Sequence, residues 1–306
     1  MHDVTLHADG LGFPEGPVWL DDGSLVVVEI AVGRVSRLAP SGRRTTLATT
    51  GGGPNGAAIG PDGALYVCNN GGFEWQRIDG QLLPGHQAHD YETGRIERIE
   101  LDSGRVERLY SACDGRRLSG PNDIVFDAHG GFWFTDLGKS RAHDRDQGGV
   151  YYATPDGRHI RAAVYPLDGP NGIGLSPDGR TLYVAMTVHR QILAFDVVSP
   201  GVVEASPLPP LPGRVVTSFP GRVLPDSMAV LESGGIAQAT LVGEPGIATV
   251  DVPSGAYQMS RFDDLFTTNI AFGGGDRCTA AITLSATGRV VTTRWPEPGL
   301  ALAFGA

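Results

Sequence analysis

Gly169-Pro170-Asn171-Gly172-Ile173-Gly174-Leu175-Ser176-Pro177-Asp178-Gly179-Arg180-Thr181-Leu182-Tyr183-Val184 is the stretch from which the organisation of this 306-residue chain can be read. An amide follows a proline, a short apolar run comes next, a Pro-Asp-Gly turn closes it, and a second strand-like run begins. Related phrases occur at Phe13-Pro14-Glu15-Gly16-Pro17-Val18-Trp19, at Pro54-Asn55-Gly56, at Pro121-Asn122-Asp123 and at Pro225-Asp226-Ser227-Met228. Aligned on the polar residue, each of these five copies places a turn glycine eight positions on: Gly23, Gly63, Gly130, Gly179 and Gly234. A sixth, degraded copy starts at Asn269 and runs into Gly273-Gly274-Gly275. Self-similarity at roughly 40 to 65 residues is the mark of a blade or solenoid architecture.

Short strands separated by turn residues fill each repeat, for example Leu25 to Ile30 and Val35 to Leu38 in the first. The sixth repeat lacks a fourth strand of its own, and the weakly alternating residues 3 to 8 can supply it. No stretch shows sustained helical periodicity with caps, and 44 glycines with 22 prolines suit many tight turns. The expected fold is all-β, a six-bladed β-propeller with a central metal-binding channel. Residues 1–306 are expected to form one such domain, with the N-terminal strand closing the last blade. A pair of β-sandwiches is the main rival, and it leaves the common phase of the repeats unexplained.

Composition narrows the function classes. A net charge of −10 argues against nucleic-acid binding, which depends on clustered Lys and Arg. No apolar run is long enough to span a bilayer, and the first residues lack the pattern of a signal peptide, so a cytoplasmic location without membrane partners is expected. Three widely spaced cysteines, Cys68, Cys113 and Cys278, give neither a disulfide framework nor a zinc pattern. The eight histidines show no paired metal-binding spacing, and no serine lies in a nucleophile elbow.

Two insertions interrupt the repeats after a second strand. Asn69 to Thr93 is a long polar loop containing Phe73 and Trp75, both candidates to cover a substrate, and Asp136 to Gly149 is a shorter one. Their common position predicts that both emerge on one face, and connections of such length in a compact domain are commonly lids or binding loops.

In a propeller the first strand of each blade lines the channel, so equivalent residues at its start converge on the axis. That ring contains two carboxylates, Glu15 and Asp226, and up to four amides, Asn55, Asn122, Asn171 and Asn269. Asn-Gly before a strand is also ordinary turn text, but Glu15 is not a turn residue and occupies the same slot. Enclosed carboxylates without a Lys or Arg call for a bound cation, and an all-oxygen set favours calcium, magnesium or manganese over softer metals.

At this point the sequence resembles the family of senescence marker protein 30, gluconolactonase and luciferin-regenerating enzyme. The resemblance rests on residues 14 to 19, on Gly120-Pro121-Asn122-Asp123 with Phe134-Thr135-Asp136, on residues 170 to 173 and on residues 225 to 228. It implies a six-bladed propeller with one divalent cation in its channel, calcium ahead of magnesium, manganese or zinc, and hydrolysis of a small lactone such as a sugar lactone. It also implies Glu15, Asn171 and Asp226 as metal ligands, with Asn122 completing the shell or contacting substrate. Asp226 and Asn122 are the expected catalytic residues: Asp226 as base or nucleophile, and the asparagines, Asn122 and Asn55, as substrate and oxyanion contacts. Two departures stand out: Gly120-Pro121 where sugar-lactone members often have an Arg, and Ser227 where a Gly is usual, which adds a hydroxyl beside the site and is an expected substrate contact. Competing readings are an organophosphate or ester hydrolase using the same site, and a non-catalytic ligand-binding propeller with a structural cation. A small-molecule substrate is the expected partner; the oligomeric state is not legible.

Overall fold

The computed structural model describes residues 3–206 and 212–305. The Pro-rich stretch ending near Pro212 therefore lies largely outside the described residues. Six antiparallel sheets form six blades, a β-propeller. Their innermost strands are Pro14–Trp19, Pro54–Ile59, Pro121–Phe126, Pro170–Leu175, Val223–Val230 and Thr267–Gly273. Blades 1 to 5 run outward from these strands in chain order. Blade 6 has Thr267–Gly273, Thr279–Leu284 and Arg289–Arg294 inside, and its outer strand is Val4–Ala8, which pairs Val4 with Thr293 and Leu6 with Val291. This first-to-last pairing closes the ring and covers an edge that would otherwise be open. The one helical segment among the described residues is the single 3-10 turn Ile30–Val32, and no helix is long and apolar enough to cross a membrane.

All five turn glycines of the repeated phrase sit at positive φ, from 68° to 88°, where a side chain would be strained. The text of the phrase before that turn was open to reading as a turn as well. It is strand instead: in blades 1 to 5 the inner strand starts at or before the proline and is interrupted at the polar residue by a register shift, as between Glu15 and Val18 or between Pro170 and Ile173. The same irregularity recurs in the other four blades. A bulge re-aims a side chain that regular pleating would send into a neighbouring sheet. The glycine after the polar residue lets adjacent inner strands meet. A Cβ on Gly56 would lie 2.5 Å from Asn122 O, and one on Gly172 would lie 2.4 Å from Asp226 O.

Between blades the packing is apolar and largely aromatic. Tyr66, Phe126 and Phe132 meet between blades 2 and 3 with ring centroids 5.0 to 5.8 Å apart, and Trp133, fully buried, packs with Leu175 and Leu182 between blades 3 and 4. Burial of each such side chain is worth about 1.5–3 kcal/mol. Cys68 and Cys113 are free and buried, behaving as small apolar residues.

The insertion read as a loop holds a β-hairpin, Phe73–Ile78 with Gln81–Gln87. Its turn is Asp79-Gly80, with φ of 51° and 79°; Asp-Gly with both residues at positive φ is a tight two-residue hairpin turn. The hairpin lies across the mouth of the channel. Leu82 N–H donates to Ala286 O of blade 6 at 2.8 Å, and Gln87 N–H donates to Ser140 O of the second insertion at 2.9 Å.

Candidate active site

The inner strands start around a cavity of about 280 Å³. Glu15, Asn55, Asn122, Asn171 and Asp226 all reach it, each less than a tenth exposed. The bulges bring together these five ring residues from blades 1 to 5. Asn269, the blade-6 member, does not line this cavity. It lies behind Glu15 and donates its Nδ2 to Glu15 Oε2 at 2.7 Å. The same oxygen accepts the Gly16 N–H at 2.5 Å.

Asp226 Oδ1 accepts from Asn171 Nδ2 at 2.5 Å. The strand carrying Asp226 is fixed by the buried Gln238, whose Nε2 donates to the carbonyls of Asp226 (2.8 Å) and Ser227 (3.1 Å). Ser227 does not line the cavity and is 1 % exposed; its hydroxyl lies near Glu15 and Asp123 and favours their charged forms. It supports the carboxylates from behind and does not meet the substrate space, contrary to the expected substrate contact. Trp75 also stays off the cavity. It packs behind Phe13 (centroids 5.0 Å) and edge-on to Phe73 (6.0 Å), and of the two loop aromatics only Phe73 reaches the lining.

A third carboxylate belongs to this cluster. Asp123 follows Asn122 at the position occupied by Gly16, Gly56 and Gly172 in other copies, and it fits because Gly56 opposite has no side chain. A carboxylate in a slot filled elsewhere by glycine was the signal that could have revealed it. Asp123 lies between the mouth cavity and a second one of about 160 Å³ deeper in the channel, whose far side is covered by residues 300–305.

Burial raises the Glu15 carboxyl above its usual range despite the bonds from Asn269 and Gly16. Burial and the charge of Glu15 push Asp123 up to about 8. Burial, and then the same charge, drive Asp226 well above the carboxylate range. No Lys or Arg among the described residues pairs with any of the three. Such a cluster is costly unless protonated or matched by a cation. Asn171 Oδ1, buried on the same ring, has no hydrogen-bond partner, and an orphaned buried acceptor needs one. Among the described residues no group of three or more His, Cys, Asp or Glu is arranged to hold a metal. The donors present are two carboxylates and amide oxygens, a set chemically suited to a hard divalent ion.

The walls above this floor differ by side. Phe13, Ile30, Phe73, Leu241 and Phe266 form an apolar wall, with Phe13 and Phe266 edge to face at 5.8 Å. Phe73 is held by Lys139, which sequence reasoning missed because a lone lysine carries no pattern. Lys139 is 2 % exposed, its Nζ donates to Gly72 O at 2.6 Å and to Asn70 Oδ1 at 3.2 Å, and it sits 3.8 Å from the centre of the Phe73 ring. Burial lowers its pKa to about 7, against the pull of Asp136 and Asp146. On the opposite wall are Thr187, Ser140 and Arg145.

The chain matches the model of the SMP-30/Gluconolactonase/LRE-like region over residues 13–286. It is 29% identical over 219 residues to lactonase drp35 of Staphylococcus saprophyticus, a match covering 71% of this chain and 60% of that protein. The chain thus spans about 60% of the length of that relative. Among solved structures, a gluconolactonase from Xanthomonas campestris superposes with a TM-score of 0.75 at 24% identity, covering 96% of this chain and 89% of the other. A calcium-binding protein, regucalcin, from Agrobacterium tumefaciens gives 0.69 at 17% identity over 97% and 99%. With a family model spanning nearly the whole propeller, the chain belongs to the SMP-30/gluconolactonase/LRE-like family.

Proposed function

We propose that this protein hydrolyses a small lactone with the help of one divalent cation. The observation that carries the reading is the pair of carboxylates Glu15 and Asp226 at the floor of an open cavity, with Asp123 behind them lining the deeper cavity, and no cationic partner among the described residues. The names of its relatives, lactonase and gluconolactonase, point to the same reaction, and the calcium-binding neighbour supports the choice of a hard ion.

Glu15, Asn171 and Asp226 are the residues that would hold the ion, with Asn122 beside them. A divalent cation there supplies Lewis acidity toward a carbonyl oxygen and lowers the pKa of water. Asp226 takes a proton from the attacking water as it adds to the lactone carbonyl carbon. The side-chain amides of Asn55 and Asn122 open on the cavity, and there they orient the substrate and donate to the developing oxyanion. The ring C–O bond then breaks, and the proton held by Asp226 passes to the departing oxygen, so that one water and one lactone give one hydroxy acid. The apolar wall limits the access of bulk water.

The test is hydrolysis of γ- and δ-lactones by chelator-treated protein, with calcium, magnesium, manganese or zinc added back, alongside Asp226→Ala. Turnover restored by a cation in the wild type and absent in the variant supports the reading. Cation binding without turnover of lactones, esters or phosphotriesters would sink it in favour of a binding protein.

A further inference from the structure

Arg145 stands out among the groups the proposed hydrolysis leaves unused. Among the described residues lining the mouth cavity it is the only basic side chain. It comes from the second insertion and reaches the cavity beside Gly169, the first residue of the repeated phrase. A Cβ there would lie 3.2 Å from Arg145 Nη2, so the bare glycine leaves the guanidinium its place.

Among the described residues its only ion-pair partner is Asp168. Nη2 lies 3.1 Å from Asp168 Oδ1, while His189 Nε2 lies 3.4 Å from Oδ2 of the same carboxylate. The Arg145 contact is not aligned as a hydrogen bond: Asp168 Oδ1 is buried without a hydrogen-bond partner. Both side chains are about a third exposed, and pairs so exposed contribute little to stability. Asp168 thus lies beside the guanidinium without taking a hydrogen bond from it, and among the described residues the donors of the planar fork have no aligned partner.

The rest of the cavity defines what those donors can meet. The wall of Phe13, Phe73, Leu241 and Phe266 offers no partner to hydroxyl groups, so a polyhydroxylated ring would leave several unpaired. The floor is acidic and the rim carries an arginine that lies beside Asp168 with no aligned hydrogen bond to it, so an anionic group meets open donors at the mouth and carboxylates at the floor, and the opposite end of the molecule is directed inward. A fork-shaped guanidinium with open donors matches a carboxylate.

We propose that the substrate is a lactone bearing a carboxylate, with few hydroxyls and an apolar ring face, and that Arg145 binds the carboxylate and so points the lactone carbonyl at the floor. This rests on the lactone-hydrolase reading and specifies its substrate class.

The experiment uses a matched pair of γ-butyrolactones, one with a carboxymethyl substituent and one with the corresponding primary amide, together with a neutral polyhydroxylated δ-lactone. Wild type, Arg145→Gln, Arg145→Lys and the remote surface control Arg158→Gln are compared. In the wild type, kcat/KM for the carboxylate is expected to exceed that for the amide by about tenfold or more, mainly through KM. Arg145→Gln brings the ratio near one, Arg145→Lys retains part of it, and the control keeps it.

A wild-type ratio near one, a ratio unmoved in Arg145→Gln, or highest efficiency on the polyhydroxylated lactone overturns the inference and leaves the hydrolase reading standing. Absence of turnover on every lactone sinks the hydrolase reading instead. In that case calorimetric binding of the same pair decides Arg145 by itself: a preference for the carboxylate lost in Arg145→Gln supports its role, and equal binding overturns it.

Discussion

Glu15 and Glu29 are two glutamates of one blade, equally buried at 2% and 0% exposed, and they have been given opposite environments. Burial alone would raise Glu29. It is outweighed by Arg34, whose Nε and Nη2 donate at 2.9 and 2.8 Å, by the Ser36 hydroxyl and by the Gly12 N–H, so the Glu29 carboxyl ends below its usual range. Glu15 has an amide and three N–H or O–H neighbours, no cation, and two further carboxylates, Asp123 and Asp226, nearby; burial takes its pKa up. The same chain that completes a buried ion pair on the second strand of blade 1 leaves a cluster uncompensated on the first. Blade 2 repeats the completed version with Arg95, Glu97 and Asn69. An unmatched charge beside matched ones marks a place kept for something that binds.

The comparison breaks most readily at Asp226 and Glu15. Asp226→Ala and Glu15→Gln are each expected to lower kcat/KM by about a thousandfold or more without lowering the melting temperature of the chelated protein, since each removes a buried repulsion. If Glu15→Gln melts as early as Glu29→Gln, the channel carboxylates are structural.

Acidity sharpens the contrast. Asp123 titrates near 8 in the folded chain and about 3.9 unfolded, so between those values the folded state binds more protons. In metal-free protein its contribution to stability is complete below about pH 4 and disappears as pH rises toward 8. Glu29, with a lowered pKa, behaves in the opposite sense: its contribution is present above about pH 4.3 and is lost in more acid solution. Melting curves of Asp123→Asn and Glu29→Gln across pH 3 to 9 should therefore diverge from wild type at opposite ends of that range. Added cation should remove most of the decline above pH 4.

Glu29→Gln itself should cost about 1–3 kcal/mol in denaturant unfolding, the loss expected when Arg34 and its partners are left half-paired. The smallest effect is expected at Lys139. Lys139→Met removes a buried charge together with its hold on Phe73 and Gly72, and the two terms offset in global stability to within about 1 kcal/mol. Amide exchange in the 73–87 hairpin should quicken and KM should rise severalfold. An unchanged KM would mean that the hairpin is not held for the substrate.

The repeat phrase made the blades legible because turns and strand alternation are local properties. Gly179 or Gly63 can be assigned from the residues beside it. The channel ring was legible for a related reason, since equivalent positions of a closed repeat must converge. Asp123, Arg145 and Lys139 were not read out of the text, as each acquires its role from a residue far away in sequence: Gly56 for Asp123, Gly169 and Asp168 for Arg145, and Gly72 with Phe73 for Lys139. The hairpin was readable from Asp79-Gly80, and was obscured by the polar and irregular residues around that turn.

By itself, then, the sequence determined the strand content, the common phase of the six repeats and the oxygen-donor character of the ring, all carried by short-range geometry repeated around an axis. Only the tertiary structure decided that Ser227 and Trp75 stay off the cavity, that a third carboxylate lies behind its floor, and that among the described residues a single arginine lines the cavity that carries an aromatic wall. Those outcomes depend on which side of a bulge a side chain leaves and on how closely neighbouring blades approach, and neither is encoded in any one segment.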